Sequence, residues 1–276
     1  MSTKIFGFLG AGKMARALAG GLGRARPAFL GGIVASARTP ATLDQFAAAL
    51  GSAREIFRPA PDNRDLVQSS DIILLGIKPA QAAEVLPPLR DLAANRLFIS
   101  LLAGVPLARL QELLGPAARI IRAMPNTPAL IGEGITGYAL GTGVTEEDAA
   151  LAQAALQAVG QALRVEESQL DAVTALSGSG PAYVFHFLNA LIEGGTAEGL
   201  PPAIARTLAV QTVIGAAKLV AASTESPLAL ADQVKSPNGT TVAACNVLAE
   251  RHWEETLRAA IAAARRRAAE LSRPPA

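Results

Sequence analysis

Three clusters in this 276-residue chain combine residue types and spacings suited to chemistry. The first is "GFLGAGKMARAL", where Gly7, Gly10 and Gly12, with Ala15 following, give a G-x-G-x-x-A pattern as an apolar strand turns into a helix. Gly10 permits the tight turn, Gly12 lets a diphosphate approach the backbone, and a small residue at 15 lets the helix lie close on the sheet. The free N–H groups and positive end of the new helix favour that anion. The second cluster is "VASARTP", at the end of the next strand, with Ser36, Arg38 and Thr39 and no acid. A carboxylate there would hold a ribose 2′-hydroxyl and repel a 2′-phosphate, whereas a guanidinium with two hydroxyls suits a phosphate monoester. Together the two clusters predict a dinucleotide site with NADP preferred over NAD. The third is "VKSPNGTTVAA", residues 234 to 244, which sets Ser236, Pro237, Asn238, Gly239, Thr240 and Thr241 between two apolar helical stretches. Ser, Thr and Asn serve as helix caps and turn formers. The same turn also offers backbone N–H groups and hydroxyls to an anion at a helix start.

Two further turns follow strands on the expected carboxyl edge of the sheet, where ligands of doubly wound folds bind. They are "GIKPAQ", with Gly76, Ile77, Lys78 and Pro79, and "LAGVP", with Ala103 and Gly104. Lys78 is placed to neutralise a phosphate. Cys245 is the only cysteine, which excludes an intrachain disulfide and a cysteine cage, and His186 and His252 are the only histidines, so no metal site is expected. A formal net charge of +2 gives no footprint for nucleic acid or an acidic membrane. Arg265, Arg266 and Arg267 read as the solvated charges of a helical tail.

These clusters need elements to position them. Up to about Arg164 short β runs alternate with helical segments: "KIFGFL", "GIVAS", "DIILLG", "LFISLL" and "RIIRAM", then the weaker "ITGYAL" and "ALRVE". Apolar strands alternating with helices predict a parallel sheet covered on both faces. After about Glu166 the strand patterns stop, and long apolar windows cover 181–200, 201–224 and 253–272. The fold class is therefore α/β: a Rossmann-type dinucleotide-binding domain over 1–166, followed by an all-α domain over 167–276. The helices are apolar around much of their circumference, more than a small bundle buries alone, so a homodimer through them is expected. Residues 172–192 carry no formal charge and are long enough to span a bilayer, but "SGSGPA" in their middle implies a helix break, which argues against it. The opening "MSTKIFGFLG" passes straight into a strand without an apolar signal core, so a soluble cytoplasmic protein is expected.

Taken in order, "IFGFLGAGKMA", "GIKPAQ", "RAMPNTPALIGEGITGYA", "ALSGSGPAYVF" and "VKSPNGTTVAA" make the chain resemble the pyrroline-5-carboxylate reductase family over essentially its whole length. The family reduces the imine of 1-pyrroline-5-carboxylate to proline with NAD(P)H. The resemblance implies that Leu9, Gly10, Ala11, Gly12, Lys13, Met14, Ser36, Arg38, Asn63, Gly76, Ile77, Lys78, Pro79, Ala103 and Gly104 touch the cofactor. It also implies a helical domain that interlocks with its twin, in dimers that often assemble further. The 236–241 turn, with Ser236, Asn238, Gly239, Thr240 and Thr241, then reads as the substrate site. Its N–H groups receive the carboxylate, with the hydroxyls of Ser236 and Thr240 beside them. The resemblance makes Thr241 the active-site hydroxyl, bonded to the ring nitrogen. Asn126 of "MPNTP" reads as a rigid bend and an extra nicotinamide neighbour, and the "SGSGPAY" backbone as a substrate-facing turn. Tyr183 and Phe185 read as core or dimer contacts, and His186 as a packed, hydrogen-bonded core residue.

The pattern departs from the family at three places. Asn238 stands where the family commonly has a glycine, although asparagine tolerates a left-handed backbone. Glu225 is one residue closer to Pro227 than is usual, so it carries no assigned role. Lys13 replaces a neutral amide. A β-hydroxyacid dehydrogenase shares the two-domain plan, but neither Lys218 nor Lys235 is followed four residues on by the asparagine that enzyme needs. A reductase of another cyclic imine and a non-catalytic NADP-binding regulator are the other readings.

Overall fold

The computed structural model describes residues 3–272. They divide into two compact units, one holding the described residues up to Ser179 and those from Ala264 onward, the other Gly180–Ala263. In chain order the first unit runs β1 (Lys4–Leu9), α1 (Lys13–Ala25), β2 (Leu30–Ser36), α2 (Pro40–Ala49), β3 (Phe57–Pro59), α3 (Asn63–Gln68), β4 (Ile72–Leu75) and α4 (Ala82–Val85). It continues with β5 (Leu97–Ser100), α5 (Leu107–Leu114), β6 (Arg119–Met124), β7 (Gly134–Leu140), α6 (Glu146–Gln157), β8 (Gly160–Arg164) and α7 (Leu170–Val173).

The strands form one eight-stranded sheet in the order β3-β2-β1-β4-β5-β6-β7-β8. β1 and β4 are apolar at nearly every position because both faces of the sheet are covered. Phe6, Phe8, Ile33, Ile72 and Leu74 join a core with Leu18, Leu22 and Phe46. Leu9, Val34, Ile73, Leu75 and Phe98 join another with Leu66, Leu86 and Leu110. The wholly parallel sheet expected from the alternation holds from β3 to β6. It does not extend further: β7 runs antiparallel to β6, and β8 pairs parallel with β7. The reason is the connection. Residues 125–133 hold only a 3₁₀ turn, Thr127–Ile131, too short for the crossover that a parallel neighbour requires, whereas α6 supplies one between β7 and β8. β3 escaped the pattern reading because it is three residues long and ends in proline, which only an edge strand tolerates.

Residues 167–179 belong with the sheet, and charge ties them there. Arg122 on β6, only 7% exposed, places its guanidinium 3.3 Å from Glu167 and 3.9 Å from Asp171. Glu167 also accepts a 2.6 Å bond from the backbone N–H of Leu107, which starts α5. The α-helix is interrupted at "SGSGPA", as expected. The chain passes from α7 through a π-helical turn, Thr174–Gly178, before helix resumes at Gly180.

The second unit contains α8 (Gly180–Ala197), α9 (Pro202–Ala222), α10 (Pro227–Val234), α11 (Thr240–Glu250) and most of α12 (Trp253–Leu271), whose last residues return to the first unit. α9 buries only Ala205 and Ala209, leaving Ile204, Leu208, Ile214, Leu219 and Val220 exposed. Phe185 is 62% exposed on α8, while Phe187 stacks on Trp253 at 6.1 Å. His186, expected as a hydrogen-bonded core residue, is exposed without a hydrogen bond among the described residues, because it lies on a helix that a single chain does not cover. By length and composition α9 is also apolar enough to cross a bilayer.

Replacing Arg122 by Ala strands two carboxylates beside β6. Because both are partly hydrated, the expected loss is about 1–3 kcal/mol. It is read as a lower urea midpoint at constant m-value.

Candidate active site

The carboxyl ends of β1, β2 and β4 open onto one cleft of about 570 Å³, a volume typical of small-molecule sites. Its floor is glycine backbone. Gly10 has φ +96°, and a Cβ there would lie 2.8 Å from the carbonyl carbon of Gly76; a Cβ on Gly76 would lie 2.8 Å from the Gly10 carbonyl oxygen. Ala15 is equally constrained, with its methyl 3.3 Å from that same Gly76 position. α1 follows Gly12, which lines the cleft, with no side-chain cap and no acid in its first turn, so the positive end of the helix is uncompensated there.

One end of the cleft is polar. Ser36, 5% exposed at the end of β2, donates a 2.7 Å hydrogen bond to the Asn63 side-chain oxygen. Arg38 is exposed and is held by no ion pair among the described residues. Thr39 caps α2 by accepting from the Thr42 N–H, and its hydroxyl lies 2.8 Å from that of Thr42. Asp62, the cap of α3, accepts the Asp65 N–H at 2.8 Å. This set of a free guanidinium, three hydroxyls and a glycine floor fits a dinucleotide carrying a phosphate monoester.

Of the residues expected at the cofactor, Gly10, Ala11, Gly12, Ser36, Arg38, Thr39, Asn63, Gly76, Ile77 and Lys78 line this cleft together. Leu9 does not; it is a fully buried core residue. Lys13 and Met14 lie in the first turn of α1 and Pro79 starts a 3₁₀ turn; none of them lines the cleft. Ala103 and Gly104 lie beyond the end of β5 and outside the cleft, and Gly104 (φ +73°) packs against the end of α12, where a Cβ would sit 3.0 Å from the Leu271 carbonyl oxygen. Sequence reasoning missed Ala37, Thr42, Pro61, Asp62, Gln81, Glu84 and Val85. Thr42 was within reach of it, since it lies three residues beyond the Thr39 cap. Gln81 and Glu84 come close only because the chain folds back after Lys78, where Gln81 accepts the Lys78 N–H at 3.1 Å.

In the second unit Ser236–Gly239 lie in the turn between α10 and α11, and Thr240 and Thr241 open α11. Asn238 has φ +58°, the left-handed conformation that a glycine would otherwise supply. The Gly239 N–H donates to the Ser236 carbonyl at 2.9 Å, and a side chain on Gly239 would run into Ser236. Gly239 starts α11 without a side-chain cap and without an acid in the first turn. Thr240 is exposed and Thr241 half-buried, and neither hydroxyl is bonded among the described residues. Just before the turn, the Lys235 ammonium donates a 2.7 Å hydrogen bond to the Asp232 carboxylate, which raises its pKa above the ordinary lysine value. The expected site residues of this turn, Ser236, Asn238, Gly239, Thr240 and Thr241, thus share one uncapped helix start. Asn126 is spent on the backbone: it bonds Ser177 and Ile135.

Residues 167–271 match the family model for pyrroline-5-carboxylate reductase dimerisation. A pyrroline-5-carboxylate reductase of Arabidopsis thaliana is 40% identical over 275 residues, covering 96% of this chain and 95% of that one. The chain belongs to the pyrroline-5-carboxylate reductase family. That of Methanosarcina acetivorans is 38% identical, covering 99% of this chain and 100% of its own. Among solved structures, a pyrroline-5-carboxylate reductase from Coxiella burnetii superposes with a TM-score of 0.90 at 36% identity, covering 99% and 100% of the two chains. The Plasmodium falciparum enzyme with NADP bound gives 0.87 at 28%, with coverage of 99% and 100%. Residues 5–104, which include the glycine floor, match the model for NADP oxidoreductase, coenzyme F420-dependent. The fold of this reductase is therefore a Rossmann-type sheet followed by the family's helical dimerisation region, and its cofactor is NADP.

For the reductase, Gly10→Ala forces a side chain against the Gly76 backbone. NADPH affinity is expected to fall about tenfold or more, with the sheet intact, as read by fluorescence titration and circular dichroism.

Proposed function

We propose that the chain reduces 1-pyrroline-5-carboxylate to L-proline, the last step of proline biosynthesis, with NADPH preferred over NADH. The substrate carboxylate is held by the 236–241 turn. The observation that carries this reading is the uncapped, acid-free start of α11, with two adjacent threonine hydroxyls behind a left-handed Asn238. A carboxylate needs several donors, and backbone N–H groups at a helix start supply them without a buried countercharge. Ser236 and Thr240 stand beside those N–H groups. Thr241, one residue deeper, is assigned to hydrogen-bond the ring nitrogen. NADPH, when bound, supplies the hydride that the imine carbon accepts. The chain's part is to orient the ring, exclude water and hold the nitrogen's hydrogen-bond partner in place.

Arg38 with Ser36, Thr39 and Thr42 supports the preference for a 2′-phosphate, since no free carboxylate ends β2. Lys13, Met14, Pro79, Ala103 and Gly104 remain assigned to the cofactor's surroundings through the family resemblance. We assign the exposed apolar faces of α8 and α9 to a homodimer through the helical region, in an assembly that adds further dimers. The same faces account for the apolar content of α9 without a membrane, and we place the enzyme in the cytoplasm.

Wild type is expected to oxidise NADPH with pyrroline-5-carboxylate and to yield proline. Thr241→Ala should lower kcat about ten- to a hundredfold, with most of it restored in Thr241→Ser. Full activity in the Ala variant would remove Thr241 from the mechanism. Arg38→Ala should raise KM for NADPH about tenfold while leaving KM for NADH unchanged. Light scattering of detergent-free enzyme should give a mass that is a multiple of the dimer; a monomer, or a need for detergent, would count against the interface.

A further inference from the structure

Ser177 has a carbonyl that its own helix cannot satisfy. In a continuous α-helix that oxygen accepts from the residue four positions on, which here is Pro181, and proline has no N–H. Around it the chain takes a π-helical turn, in which the Ser179 N–H donates to the Thr174 carbonyl at 2.8 Å. The donor for Ser177 comes from another part of the fold. The Asn126 side-chain amide donates to the Ser177 carbonyl at 3.1 Å, and its oxygen accepts from the Ile135 N–H at 3.0 Å. Asn126 is 8% exposed, so the planar group that joins these two backbones is almost fully withdrawn from water.

The position of this brace gives it meaning. Asn126 follows the carboxyl end of β6, on the ligand edge of the sheet. The Arg38 end of the cleft lies at β2 and the glycine floor at β1 and β4, so a dinucleotide anchored there extends along the edge toward β5 and β6. Its reacting end is therefore on the side where Asn126 and the π-turn stand. Met124, the last residue of β6, backs the turn: a Cβ on Gly178 would lie 2.8 Å from its terminal methyl. Single π-turns within helices forgo regular hydrogen bonds and are frequent at functional sites. Gly178, Ser179 and Gly180 are half-buried, and a Cβ on Gly180 would meet nothing within 4 Å.

We propose that Asn126 is a positioning residue for the reduction, acting through the 174–178 π-turn that it braces to set the wall of the reacting end; this rests on the substrate reading above. Only a planar group with a donor on one side and an acceptor on the other makes both bonds. Aspartate keeps the acceptor for Ile135 but turns an oxygen toward the Ser177 carbonyl, and so releases the turn.

The test compares wild type with Asn126→Asp and with Gly178→Ala, which presses on the same turn from the Met124 side without touching Asn126. Measured are kcat and KM with pyrroline-5-carboxylate, NADPH affinity by fluorescence, and hydrogen–deuterium exchange over 174–180. The expected result for both variants is kcat lowered about tenfold, NADPH affinity within about twofold of wild type, and faster exchange confined to the turn. Faster exchange with unchanged kcat, or a loss that falls on NADPH affinity instead, would overturn the positioning role. Wild-type enzyme that fails to turn over the imine would overturn the substrate reading, a different failure from wild-type turnover that both variants retain.

Discussion

Backbone meets backbone between the turn after β1 and the turn after β4, with no side chain between them, and the rest of the first unit is arranged around that approach. The Gly76 N–H donates to the Leu9 carbonyl at 2.8 Å, and the Gly10 N–H donates to the Ser36 carbonyl at 3.1 Å. The three strand ends are thereby stitched into one edge. Any side chain at Gly10 or Gly76 would push these ends apart and move the first turn of α1 away from the position where its N–H groups can reach a diphosphate. The adjoining hydroxyls and Arg38 fall into place because β2 is hydrogen-bonded to β1 in register, Leu9 opposite Ser36.

Helix starts differ in this molecule. α2, α3, α6 and α10 are closed by the side chains of Thr39, Asp62, Thr145 and Ser226. α1 and α11 each begin at a glycine, with neither a capping side chain nor an acid in the first turn. α5 and α9, which follow prolines, also lack a side-chain cap. A capped start has spent its N–H groups, whereas an open one keeps them for a ligand. The two open glycine starts coincide with the cofactor cleft and with the turn assigned to the substrate carboxylate. An imine reductase needs two such places, since both of its ligands are anions.

The helical unit obeys a different constraint. Its helices carry apolar residues over more of their circumference than the single chain covers, as the exposure of Phe185, Leu208 and Leu219 shows. Such surface is stabilised by a partner that removes it from water. The match of residues 167–271 to a dimerisation family gives the identity of that partner as a second copy.

Much of this plan is legible in the order of residues alone. The G-x-G-x-x-A turn, the acid-free end of β2, the Thr-Thr helix start and the division into a strand-bearing and a helical part are all local patterns. Each depends on residues close in the chain, whose backbone preferences and spacings are written in the sequence. Asn238 belongs with them, because its left-handed φ follows from what asparagine tolerates. Tertiary structure decided what local pattern cannot hold. The reversal at β7 depends on a connection too short to cross over, and β3 exists only because an edge accepts it. Thr42, Gln81 and Glu84 entered the cleft, and Ala103 and Gly104 stayed out of it, according to how loops fold back on the sheet edge. The interruption at "SGSGPA" was legible because glycine and proline weaken a helix locally, but its form was not. The chain takes a π-turn just before Pro181, and Asn126, 51 residues before Ser177, supplies the hydrogen bond that Pro181 cannot. That partner is set by the packing of β6 against the turn, and long-range contacts of this kind leave no periodic trace in the sequence.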